Sequence, residues 1–168
     1  MMNACSAMGL QPSTAGGFSL IELLVVLAIM AVLAGIGLPL AELSNQRNKE
    51  EDLRRSLREI RTALDAYKRL VDQGNIQRAA DASGYPPSLD VLVDGVVDAR
   101  SPKGTKIYLL RNLPRDPFAP SSIQAAAQTW ELRGYASPPT DPKPGADVYD
   151  VHSRAPGVGL NGIAYRDW

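Results

Sequence analysis

An uncharged apolar run preceded by one carboxylate constrains this chain more than any other feature. Gly17-Phe18-Ser19-Leu20-Ile21-Glu22 leads into a stretch from position 23 to position 41 without a charged side chain. At about 1.5 Å of rise per helical residue, that stretch crosses a hydrocarbon core of roughly 30 Å. An ionised carboxylate near bilayer depth costs about 2–4 kcal/mol even on lenient insertion scales, so Glu22 needs a counter-charge. The nearest candidate is a free amine on Phe18, which exists only if the chain is cut after Gly17. A secretory signal ends in a small-residue cleavage site after its apolar core. A cut after Gly17 would precede the apolar run, so the run would be retained. The plainer reading is an ordinary signal anchor with Glu22 near an interface.

The other bounds are narrower. A chain of 168 residues holds one modest domain plus an extension. A formal net charge of zero gives no basic surface for nucleic acid, so no nucleic-acid partner is expected. The single cysteine, Cys5, lies upstream of the cut, which leaves the mature chain without a disulfide. No apolar run precedes Cys5, which argues against a lipoprotein anchor. The leader, residues 1–17, carries no Lys or Arg, so the positive-inside rule gives no orientation from that side.

Beyond the run the pattern changes. In residues 43–73, Leu53, Leu57, Ile60, Leu64, Tyr67 and Val71 recur at alternating steps of four and three. That is one face of a helix. Glu50, Glu51, Asp52, Arg54, Arg55, Arg58, Glu59 and Arg61 fill the other faces. The stripe covers only a few turns and leads into a tail, so it is assigned to domain packing rather than to a seam between subunits. Gly74 is the expected helix stop. Joined to the span, this predicts one helix of more than fifty residues, roughly 80 Å long, with Pro39 kinking or locally melting it. The tail, residues 75–168, is rich in Pro, Gly and Asp. A turn at Tyr85-Pro86 should enter a short helix ending near Val93. Strands are expected over 106–111, 129–133 and 146–153, with a connecting loop at Pro138, Pro139, Pro142 and Pro144.

The motif at Gly17 to Glu22 resembles the class III signal of type IV pilins and type II secretion pseudopilins: Gly, Phe, Thr or Ser, Leu, Ile or Val, Glu, then a long apolar run. All six positions match, and Pro39 falls where that family breaks its membrane helix. In the tail, Tyr85-Pro86, Leu113-Pro114-Arg115-Asp116-Pro117-Phe118, Trp130, Tyr149-Asp150-Val151-His152-Ser153 and Tyr165-Arg166-Asp167-Trp168 occur in this order. They resemble the C-terminal domain of the major pseudopilin. The resemblance implies an α+β, pilin-like fold: a long N-terminal transmembrane helix packed on a three- or four-stranded antiparallel sheet. It implies a leader at 1–17, a transmembrane half at 18–41, an amphipathic half at 42–74 and a periplasmic domain at 75–168. It implies cleavage between Gly17 and Phe18, N-methylation of Phe18, and assembly through Glu22 pairing with the Phe18 amine of a neighbour. The implied partners are copies of itself, other pseudopilins, the prepilin peptidase, the inner-membrane assembly platform with its ATPase, and the membrane. The implied location is the bacterial inner membrane, single-pass, with the C-terminal domain in the periplasm. The implied work is a filament whose extension drives folded proteins across the outer membrane. The alternative is a type IV pilin for adhesion or motility; such pilins commonly close a C-terminal loop with two cysteines, which this tail lacks.

Catalysis finds no inventory here, and no enzyme activity is expected. His152 is the one histidine, inside an expected strand, and no metal-spaced His/Cys cluster or phosphate loop occurs. Asp141 and Asp147 are placed in a solvated turn without a partner, and Asp116 before Pro117 is expected to fix a turn. Major pseudopilins of many systems bind calcium in the loop after the last strand. Calcium wants about six to eight oxygen ligands, several of them carboxylate. The corresponding loop, residues 154–162, holds no Asp or Glu; Asn161, Asp150 and Asp167 are the nearest side-chain donors. The loop is therefore expected to be metal-free, its glycines serving tight turns.

Overall fold

The structure is a computed structural model and describes residues 17–168. Residues 1–16 of the expected leader 1–17, including Cys5, lie outside the described residues. The chain is α+β and divides into two compact units, Met1–Leu43 and Ser44–Trp168. Helix α1, Leu20–Asp72, contributes to both. It stays helical through Pro39, so the expected local melting is absent. A proline removes one backbone donor, and the surrounding hydrogen bonds suffice to carry the helix past it.

In the first unit the large apolar side chains of α1 from Leu20 to Leu33 are exposed. In the second unit the stripe does what its spacing predicts. Leu53, Leu57, Ile60, Leu64, Tyr67 and Val71 are all buried and form one wall of the core. The helix then stops in a glycine-closed turn. Gly74 takes φ 78°, the left-handed conformation that a Cβ disfavours. Its N–H donates to the Val71 carbonyl at 2.9 Å, and Asn75 N–H donates to the Leu70 carbonyl at 2.9 Å. These two bonds satisfy carbonyls that a helix end would otherwise leave bare.

The opposite wall is built from short pieces. Helix α2, Val91–Asp94, inserts Leu92, with Leu89 buried just before it. Strands β1 (Val96–Val97) and β2 (Lys106–Ile107) form one antiparallel ribbon, and β3 (Trp130–Arg133) and β4 (Asp150–Ser153) a second. Among the described residues the expected three- or four-stranded sheet is therefore two separate two-stranded ribbons. The physical cause lies in the backbone donors. Leu109 and Leu110 N–H both turn to the Leu92 carbonyl, which ends the strand expected over 106–111 after Ile107. Val148 N–H goes to the Pro86 carbonyl at 2.8 Å rather than to a strand, so β4 begins later than expected. The strand expected over 129–133 holds apart from Thr129, which closes a 3-10 turn, Ala126–Thr129.

Trp130 anchors the β3–β4 ribbon. It is fully buried and its indole N–H donates to the Pro114 carbonyl at 2.9 Å. Asp116 fixes the turn that follows, accepting Phe118 N–H at 2.8 Å, and also receives the Ser153 hydroxyl at 2.6 Å. One buried carboxylate thus joins the turn to β4.

Candidate functional site

The N-terminal signal stands open. Among the described residues a Cβ built on Gly17 would meet no atom within 4 Å, and Phe18 is 77% exposed. The backbone at this junction is therefore accessible to another protein. Ser19 closes the start of α1, its carbonyl accepting Leu23 N–H at 3.2 Å. Glu22 lies in the first helical turn, where the partial positive charge of the helix N-terminus favours a carboxylate. Its side chain is exposed, and among the described residues it has no hydrogen-bond or ion-pair partner. The structure brings Gly17, Phe18 and Glu22 onto one short open segment.

The run that follows is apolar and exposed up to position 34. The side chains of residues 35–39, inside the expected span 18–41, lie outside the described residues. Among the described residues no helix is long and apolar enough to cross a membrane.

The tail holds a second organised feature, which sequence reasoning missed. Glu50, placed among the surface charges, is 4% exposed. Its Oε1 accepts three hydrogen bonds: Leu160 N–H at 2.8 Å, the Tyr165 hydroxyl at 3.0 Å and the Gln46 amide at 3.1 Å. The helix thereby clasps a segment 110 residues further on. Burial raises the Tyr165 phenol pKa; the Gln46 hydrogen bond lowers it, and the Glu50 hydrogen bond and charge raise it again. Gly159 closes against Trp168 so tightly that a Cβ there would overlap the indole Cζ2. Arg54 lies over the Trp168 ring at 4.3 Å. The only sign in sequence was the sequence order Tyr165 to Trp168; the pairing with Glu50 has no local signature.

Arg61 also leaves the surface role. Its Nε donates to Asp150 at 2.8 Å, and its Nη2 donates to the carbonyls of Val151 at 3.1 Å and Trp168 at 2.8 Å. Asp150 also faces Arg133 at 3.6 Å and His152 at 3.7 Å. His152 Nδ1 meets the Arg166 carbonyl at 2.9 Å, so that nitrogen carries the proton. Asp147, expected to be solvated and unpartnered, instead accepts Tyr135 N–H at 2.7 Å and the Ser83 hydroxyl. Asp141 pairs with Lys143 at 2.6 Å.

These commitments bear on calcium. Asn161 Oδ1 accepts Ile163 N–H at 3.1 Å, Asp150 is held by Arg61, and Asp167 faces Arg166 at 3.6 Å. Glu50, whose carboxylate reaches the loop, accepts the Leu160 N–H of the loop itself. Among the described residues no group of three or more His, Cys, Asp or Glu is placed to hold a metal. On these pairings we propose that the loop is metal-free.

Residues 13–38 match the family model for the prokaryotic N-terminal methylation motif. No curated protein matches the chain, and no solved structure matches it. The motif is the type IV pilin-like prepilin signal, which goes with processing, methylation and filament assembly in general, and it contains Gly17, Phe18 and Glu22.

Proposed function

We propose that the chain is a structural subunit, not an enzyme, of a type II secretion pseudopilus. The observation that carries this is the methylation motif over residues 13–38, whose Gly-Phe junction is open and whose Glu22 has no partner within the described chain. On this reading, prepilin peptidase cuts between Gly17 and Phe18 and the new Phe18 amine is methylated. Residues 18–41 hold the subunit in the inner membrane, with the rest of the chain in the periplasm. The exposed aliphatic face of α1 becomes a buried helical core when subunits stack. Glu22 of an incoming subunit then meets the Phe18 amine of its neighbour, where exclusion of water makes the pair stronger and sets the register. An assembly platform and its ATPase drive extension, and other pseudopilins complete the filament.

The order of tail motifs and a tail without cysteine support secretion over a motility pilus. Deletion of the gene separates the two. Loss of folded exoproteins from the medium, with surface motility intact, is the expected result. Loss of motility with secretion intact would transfer the chain to the pilus reading.

A further inference from the structure

The second unit carries an exposed aliphatic hairpin that neither catalysis nor the core uses. Val158 and Ala164 pair across it, Gly159 N–H donates to the Ile163 carbonyl at 2.9 Å, and Gly162 N–H returns to the Gly159 carbonyl at 2.9 Å. Its side chains point away from the core: Val158 is 55%, Leu160 46% and Ile163 48% exposed. A floppy loop would fold such residues inward. This one is held out by Glu50 on the Leu160 N–H and by the Trp168 indole on the Ile163 carbonyl at 3.1 Å.

Cations lie near its base, beside the buried Glu50 carboxylate and Asp167. Arg54 lies over Trp168, and Lys49 lies 5.9 Å from the Phe118 ring, which stacks on Tyr165. Arg54 and Arg58 line a hollow of about 260 Å³ together with Ile163 and Trp168. Among the described residues none of Lys49, Arg54 and Arg58 pairs with a carboxylate. Asp167, the acidic residue of that hollow, faces Arg166. An aliphatic tip with a basic base suits an anionic lipid surface, where the tip enters the headgroup layer and the cations meet phosphate.

We infer that this hairpin rests on the anionic lipid surface beside the membrane anchor before the subunit enters a filament. The inference depends on the proposed anchoring of residues 18–41. Gln46, which shares the Glu50 and Tyr165 cluster, follows Ala41 by five residues, so the chain spans at most roughly 18 Å between the anchor's end and the clasp. Entry into a filament would then require lifting the hairpin from the lipid.

The test uses the processed full chain, one copy per nanodisc, with a nitroxide at Leu160→Cys or Ile163→Cys. The processed chain has no other cysteine. Both side chains are half-exposed, so either label leaves the core intact. Ala136→Cys, on the exposed Pro-rich loop, is the solvent reference. In phosphatidylglycerol discs, accessibility of the hairpin labels to a water-soluble nickel chelate should fall by roughly half or more relative to detergent, while oxygen accessibility rises. The combined Arg54→Glu and Arg58→Glu changes, or phosphatidylcholine discs, should restore chelate access. Unchanged access in phosphatidylglycerol discs overturns the inference while leaving the anchor standing, provided the chain co-elutes with discs. Protection that appears only with several copies per disc, whatever the lipid, assigns the hairpin to a second copy and also overturns it. Failure of the chain to enter discs at all defeats the anchor and the inference with it.

Discussion

Replacing Glu50 by alanine removes the acceptor on which three donors converge. Tyr165 keeps one partner, because the Gln46 amide also lies 3.2 Å from its hydroxyl. Leu160 N–H keeps none, and the hairpin loses its fixed point on α1. Leu160 N–H is part-buried, so leaving it bare falls toward the low end of the roughly 1–3 kcal/mol for a buried donor, and a lost hydrogen bond to a charged group costs about 1.5–3 kcal/mol. With partial relaxation the total is about 3 kcal/mol. For a unit of this length that lowers Tm by roughly 10–15 °C. Glu50→Gln keeps an acceptor oxygen in place and should lose only about 1 kcal/mol. The core lies entirely between Leu53 and Tyr165, so the tail from about Asn45 onward is the sample for thermal and urea melts followed by circular dichroism. Parent and alanine variant should each melt alike in excess calcium and in chelator. A ligand at a hundred times its Kd adds about 2.7 kcal/mol, which such melts resolve. An alanine variant within a degree or two of the parent would refute the clasp. A glutamine variant as damaged as alanine would show that charge, not acceptance, matters. A calcium-dependent rise in the parent would overturn the donor-set argument.

Gly17→Val should block processing and leave uncut chain in the membrane, because a side chain at that position obstructs close approach to the scissile backbone; mass spectrometry should find Phe18 at the parent N-terminus. Glu22→Ala should insert and be cut normally yet assemble poorly, since deleting one partner of a buried pair costs about 3–5 kcal/mol at each repeat; abundant filaments after shear fractionation would end the pairing mechanism. Burial pushes the phenols of Tyr67, Tyr85 and Tyr165 up, so the folded state holds these protons more tightly than the unfolded chain. That stabilisation is present below the ordinary tyrosine value of 10.0 and is lost as pH rises through the raised folded values. Urea midpoints should therefore fall in strong alkali, and less steeply in Tyr165→Phe.

What sequence shows of this molecule follows how local each signal is. The stripe from Leu53 to Val71 was legible because a helix repeats its face every three or four residues, and each position is buried. Gly74 was legible because few residues accept its φ. The sheet was misjudged because apolar runs such as 106–111 show strand composition but not where their N–H groups go. Leu109 and Leu110 donate to Leu92, a partner no local pattern indicates. Glu50, Arg61 and Asp147 were misplaced for the same reason: their partners lie 110, 89 and 64 residues away. Gly17, Phe18 and Glu22 present the reverse case. Their pattern was plain in sequence, and among the described residues Glu22 has no ion-pair partner.

The clasp between Glu50 and Leu160 also orders events in time. As the chain emerges, the helical stripe from Leu53 to Val71 comes first, and most of what covers it comes much later: Trp130, Val148, Val151 and Tyr165. Contacts so distant in sequence form slowly, since the intervening chain must first close into a loop. Until the segment around Leu160 and Tyr165 leaves the ribosome, an apolar helix face and the Glu50 carboxylate stand side by side in water. Nascent chains stalled short of Tyr165 should therefore be the species that chaperones hold and proteases clear.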